Sequence, residues 1–161
     1  MKVVDMMMGT PYYCRPDSNL GEATELMWRG NCGFLPVVAS AGNLIGVLTD
    51  RDICIALGTR GRPSGEVAVA DVMSKKIFSC APDDDVHTAL AAMREGRVRR
   101  LPVISKGGAL VGVISMDDVL LRAEAGGAGK TAGVSADEIV NSFRTINTPL
   151  LPVVASKQAV A

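Results

Sequence analysis

The chain repeats itself. Displacing the sequence by 66 residues aligns 3–57 with 69–123 without a gap, and 17 of the 55 pairs are identical. They include Asp5/Asp71, Met7/Met73, Cys14/Cys80, Pro16/Pro82, Gly30/Gly96, Leu35/Leu101, Pro36/Pro102, Gly46/Gly112 and Asp52/Asp118. Such a duplication requires two similar folded units that cover each other. With only two long copies, a solenoid is not expected.

Each copy reads as one supersecondary unit. Tyr12-Tyr13-Cys14 and Ile77-Phe78-Ser79-Cys80 predict short strands closed by Pro16 and Pro82, with helix-start chemistry in Asp17-Ser18 and Asp83-Asp84. Val86, Ala89, Leu90 and Met93 then recur with helical period, as do Leu20, Ala23 and Met27. Gly30 and Gly96 stand where a helix C-terminal signal belongs. Hairpins are predicted at 35–39 with 44–48 and at 101–105 with 110–114, followed by helices at 51–57 and 117–123. A unit of about 55 residues leaves an apolar face open and is marginal alone. The expected fold class is therefore α+β: two β-α-β-β-α repeats packed sheet to sheet about a pseudo-two-fold axis. Residues 1–66 hold the first repeat and its linker, 67–123 the second, 124–134 a Gly/Ala linker and 135–161 a tail.

Composition narrows the function. Lys+Arg and Asp+Glu both number 17, so the basic field of a nucleic-acid or anionic-membrane binder is missing. Aromatics at 4% argue against a base-stacking platform. One histidine, His87, and four scattered cysteines fit neither a zinc site nor a disulfide framework. Reduced thiols and no long apolar run fit a cytoplasmic protein with no membrane partner. No base is paired with a nucleophile, so an enzyme is not expected.

The strand-to-helix junctions carry the chemistry. Gly46-Val47-Leu48-Thr49-Asp50-Arg51-Asp52 and Gly112-Val113-Ile114-Ser115-Met116-Asp117-Asp118 occur at the same offset. Thr49 with Asp52, and Ser115 with Asp118, have the spacing of a capping box, in which hydroxyl and acid satisfy each other's backbone N–H. The same groups also suit a nucleotide. A helix N-terminus offers free N–H groups and about half a positive charge to a phosphate, while a carboxylate one turn on accepts from ribose hydroxyls.

These heptapeptides, with Asp71-Val72-Met73 and Leu101-Pro102-Val103, resemble the CBS motif, named for the regulatory region of cystathionine β-synthase. A tandem pair of such motifs is a Bateman module, and the resemblance spans residues 3–123. It implies ribose and phosphate at Thr49 and Asp52 and at Ser115 and Asp118. Adenine would lie beside the first two strands, near Tyr13, Cys14, Phe34, Leu35 and Pro36 and near Ser79, Cys80, Arg100, Leu101 and Pro102. The run Arg94, Arg97, Arg99 and Arg100 reads either as the solvated end of a helix or as basic help for the second junction, with Arg99 or Arg100 neutralising phosphate and Arg60 and Arg62 doing likewise on weaker grounds. The implied ligand is regulatory: AMP, ADP, ATP or S-adenosylmethionine, with no cofactor required. A regulated protein partner would read the signal. The alternative is a structural or protein-interaction module whose junctions are only caps.

Several other signals are weaker. Gly126–Thr131 imitates a P-loop but has Glu124 where the pattern needs glycine. His87 reads as a surface residue and Met6-Met7-Met8 as packing material. In the tail, Leu151–Ser156 repeats Leu35–Ser40 letter for letter, after a predicted helix at 135–144 with Ile139, Val140 and Phe143 on one face. It reads equally as a partial third copy or as coincidence. The runs Ile53-Cys54-Ile55 and Val119-Leu120-Leu121 are wider than one core-facing stripe, which predicts a homodimer or a cover made by the tail helix.

Overall fold

The computed structural model describes residues 1–122 and 133–148. Repeat 1 comprises α1 (Leu20–Arg29), β1 (Phe34–Val38), β2 (Leu44–Thr49) and α2 (Asp50–Arg60). Repeat 2 comprises α3 (Val86–Gly96), β3 (Arg100–Ile104), β4 (Leu110–Ser115) and α4 (Met116–Arg122), and α5 (Ala136–Asn147) follows. Both hairpins are antiparallel and share one register: Phe34 faces Thr49 as Arg100 faces Ser115, and each has a bulge at the same step. Gly42 and Gly108 turn the chain with φ of 86° and 82°. The hairpin tips meet through Leu44 N–H to the Gly108 carbonyl and Leu110 N–H to the Gly42 carbonyl, 3.2 and 3.4 Å.

The expected leading strand of each repeat is a single parallel bridge, Cys14 to Val37 and Cys80 to Val103. Prolines cut the ladder short on both sides. Cys14 N–H donates to the Pro36 carbonyl and Val38 N–H to the Cys14 carbonyl. The next parallel rungs need N–H groups from Pro36 and from Pro16, which have none. Pro102 and Pro82 impose the same limit in repeat 2.

The helix starts lie later than expected. Asn19 caps α1 in a box with Glu22, and Asp85 caps α3. Gly30 and Gly96 are not left-handed caps; Asn31 and Arg97 take positive φ, 45° and 52°. The glycines are needed for packing instead. A Cβ at Gly30 would lie 2.7 Å from the Tyr12 ring, and one at Gly96 2.6 Å from Phe78.

The repeats exchange their leading segments. Met8 pairs with Val113 of β4, and Ser74 pairs with Val47 of β2. Val3 and Met6 are buried in the repeat 2 core with Leu90, Met93, Leu101 and Ile114. Val67 and Val69 are buried in the repeat 1 core with Leu20, Leu35 and Leu48. The junction glycines make room for this exchange. A Cβ at Gly112 would lie 2.6 Å from Met7 Sδ and 2.9 Å from the Met8 carbonyl, and one at Gly46 2.7 Å from Met73 Sδ. Met7 and Met73 thus fill matching places under the opposite repeat.

The tail helix packs on repeat 2. Ser135 caps α5 through Glu138 N–H, and Ile139, Ser142 and Ile146 are its buried residues. Val140, expected on the apolar face, is 47% exposed, because the buried stripe runs through 139, 142 and 146. The Gly126–Thr131 and Leu151–Ser156 segments lie outside the described residues. The expected linker loop is partly ordered: α2 runs to Arg60, and Ser64–Glu66 forms a 3-10 turn.

Candidate functional site

At the end of β4, Ser115 N–H and Oγ donate to Asp118 Oδ2 at 2.8 and 2.6 Å, and Asp118 N–H donates to Ser115 Oγ at 3.1 Å. The strand therefore ends in a closed capping box. Among the described residues, Asp118 Oδ1 takes no hydrogen bond. Arg100 lies directly across the ladder from Ser115, and among the described residues a loose pair with exposed Asp117, 3.8 Å, is what engages its guanidinium.

A cleft of about 200 Å³ opens over this junction. Val113, Arg100, Ser115 and Asp118 form one wall. Repeat 1 supplies the other: Met8, Pro11 and Tyr12 from the exchanged segment, then Asn31, Cys32 and Phe34 after α1. One end thus carries a guanidinium, a carboxylate and a hydroxyl, and the other is mostly apolar with an aromatic ring.

The first junction has the same cap. Thr49 N–H and Oγ1 donate to Asp52 Oδ2 at 2.9 and 2.6 Å, and Asp52 N–H donates to Thr49 Oγ1 at 3.2 Å. Its ladder partner is apolar, since Phe34 faces Thr49 where Arg100 faces Ser115.

The structure redistributes the other expected ligand residues. Leu35, Leu101, Cys14 and Cys80 are at most 5% exposed, and Pro36 and Pro102 are buried beside them. Leu35, Leu101, Cys14 and Cys80 fill the two cores; Pro36 and Pro102, one residue further along each strand, lie on the opposite face, and none of the six lines the cleft. Burial pushes the Cys14 thiol up to about 11 and the Cys80 thiol up to about 12. Arg99 is exposed and outside the cleft lining. Arg94 donates to Ser142 Oγ at 2.8 Å, and Arg97 to the Thr148 carbonyl, so both hold α5. Arg60 and Arg62 donate to the carbonyls of Asp71 and Glu66, which ties down the linker. His87 is a surface residue with a bond to Glu138 of α5, 2.9 Å.

Sequence reasoning missed Tyr12, Met8, Asn31 and Cys32. They come from the opposite repeat, and only the segment exchange brings them to Ser115. No helix among the described residues is long and apolar enough to cross a membrane. No group of three or more His, Cys, Asp or Glu side chains among them is placed to hold a metal ion.

Duplicated α+β units with a Ser/Thr–Asp junction after each hairpin define a tandem CBS pair. The CBS domain family model matches residues 3–59 and 69–124, so the chain belongs to this family. The CBS domain-containing protein YhcV of Bacillus subtilis (strain 168) is 36% identical over 107 residues, 66% of this chain and 74% of that protein. Of two other curated relatives the chain spans 54% and 20%. The fold matches the CBS domain pair of protein MJ0100, in complex with 5'-methylthioadenosine and S-adenosyl-L-methionine, with a TM-score of 0.69 and 21% identity. That match covers 75% of this chain and 94% of that one. It also matches CBSX2 in complex with AMP, with a TM-score of 0.65 and 23% identity, over 74% and 93% of the two chains.

Proposed function

We propose that the chain is a regulatory module that binds an adenosyl ligand, AMP, ADP, ATP or S-adenosylmethionine, in the cleft at Ser115 and Asp118. One observation carries this reading: Arg100 faces Ser115 across the ladder while Asp118 keeps one oxygen unengaged. A guanidinium at the anionic end and a free carboxylate oxygen for ribose suit a nucleoside that carries charge. The apolar wall from repeat 1 suits a purine. The adenosyl ligands of MJ0100 and CBSX2 belong to those proteins and support the class of ligand here.

Binding would act on the packing of the repeats, since the cleft takes a wall from each. Ligand that favours one arrangement shifts the population toward it. The reading has no turnover and no required cofactor, and it suits a cytoplasmic protein with four free thiols. A regulated protein would read the shift. A structural module is the second reading, favoured by the complete capping boxes at both junctions.

Isothermal titration with AMP, ADP, ATP, S-adenosylmethionine and inorganic phosphate tests the proposal, with product analysis after each run. Saturable binding of an adenosyl compound without conversion supports it. No binding across the panel leaves the capping role, and conversion would make the chain an enzyme.

A further inference from the structure

A second cavity, of about 400 Å³, lies beside the turn at Gly42 and the start of β4. Thr10, Tyr13 and Arg15 give it two hydroxyls and a guanidinium, and Val38, Leu110 and Val111 give it apolar surface. The leading segment of repeat 1 runs between this cavity and the cleft at Ser115. Tyr12 lines the cleft, Tyr13 and Arg15 line the cavity, and Pro11 borders both.

Arg15 has an unmet requirement. Its Nη1 is shut off from solvent and, alone among the buried side-chain nitrogens and oxygens of the described residues, has no hydrogen-bond partner. No carboxylate among the described residues forms an ion pair with its guanidinium. A buried donor on a charged group is costly to leave unpaired. Folded proteins answer such a donor with an acceptor or an ordered water.

We propose that this cavity binds a small organic monocarboxylate, with the carboxylate on Arg15 and an apolar body against Val38, Leu110 and Val111. This does not rest on the reading of the cleft.

Charge sets the class of ligand. Arg15 is the one charged residue in the lining, so the cavity balances a single negative charge. A polyphosphate would bring several charges to one cation. A guanidinium meets a carboxylate through two parallel hydrogen bonds, and the Thr10 and Tyr13 hydroxyls are donors for its remaining lone pairs. The volume is that of a small-molecule site, in which mostly apolar walls carry a few polar groups that fix orientation.

The cavity does not belong to the duplicated equipment. Displaced by 66 residues, Thr10, Tyr13 and Arg15 correspond to Lys76, Ser79 and Ala81. Ala81 has no side-chain donor, and Lys76 lies over the Phe78 ring, 5.2 Å from its centre. The Ser/Thr–Asp junction occurs twice, but the guanidinium occurs only on repeat 1. One monocarboxylate per chain is therefore expected.

Proton–nitrogen correlation spectra of the full chain, titrated with sodium benzoate, isovalerate and inorganic phosphate at constant ionic strength, test this. Benzoate and isovalerate should shift the Tyr13, Gly42 and Leu110 amides saturably, and phosphate should not. Arg15→Gln should keep the folded spectrum and weaken benzoate at least about tenfold, with only part of that loss recovered in Arg15→Lys. Tyr13→Phe removes one hydroxyl from a half-exposed ring and should weaken benzoate about threefold to tenfold. It keeps the test open should Arg15→Gln fail to fold. Shifts centred on Asn31, Ser115 and Asp118, lost in Arg100→Gln, would place the acid in the cleft and overturn the proposal. So would benzoate affinity unchanged by the Arg15 and Tyr13 substitutions, or phosphate binding as tight as that of the acids. No saturation by either acid also overturns it, and leaves an ordered water as the partner of Nη1.

Discussion

Ser115 Oγ donates to Asp118 Oδ2 at 2.6 Å, and the same bond at the same length joins Thr49 to Asp52. Both pairs close a helix start, yet only Ser115 has an arginine across the ladder. Asp118→Ala should cost about 1 kcal/mol of stability as a lost cap. Its cost in ligand binding should be larger, about 1.5–3 kcal/mol for hydrogen bonds to a charged group. Thermal melts and titration of Asp118→Ala check this. If Asp118→Ala binds adenosyl ligands normally, the ribose role is wrong.

Arg100 should discriminate among ligands by charge. Arg100→Gln should weaken AMP and ATP more than adenosine, and the salt dependence of AMP affinity should flatten. Titrations at two ionic strengths measure both effects. An equal loss for adenosine would place Arg100 beside the base.

The junction glycines should behave unlike the surface glycines. Gly112→Ala places a methyl 2.9 Å from the Met8 carbonyl and 2.6 Å from Met7 Sδ, and should cost about 1–3 kcal/mol as overpacking. Gly58 lies within α2 with no atom near its missing Cβ, so Gly58→Ala should stabilise by about 0.5–1 kcal/mol. Urea midpoints at constant slope give both values.

The thiols should separate by burial. At pH 8 a thiol reagent should label exposed Cys54 quickly, while Cys14 and Cys80 wait for unfolding. Their folded values are raised above the ordinary 9.0. The stability they confer is therefore full below pH 9 and is lost as pH rises toward about 11 and 12. Replacing both by alanine should reduce the fall in stability above pH 9, followed by urea unfolding at pH 7 and pH 10.

The duplication, the hairpins and the two Ser/Thr–Asp junctions were legible because each depends on residues close in sequence. Helical period, turn glycines and capping spacing are local properties. Even the single-bridge leading strand follows from prolines visible at 16, 36, 82 and 102, once the direction of the ladder is known.

The sequence by itself determined two equal units and the chemistry at the start of each second helix, since a register and a cap need only neighbouring residues. Tertiary structure alone decided that Met8 pairs with Val113 and Ser74 with Val47, which makes the cleft at Ser115 a product of both repeats. It also decided that α5 covers one helical groove and leaves Trp28 open on the other. Both outcomes depend on pairings distant in sequence, from 27 residues apart for Val47 with Ser74 to 105 for Met8 with Val113, where apolar burial favours contact but carries no address. The copies share their register and capping residues but differ elsewhere, as Phe34 differs from Arg100 and Trp28 from Arg94, and which of those differences meets a neighbour is decided only by packing.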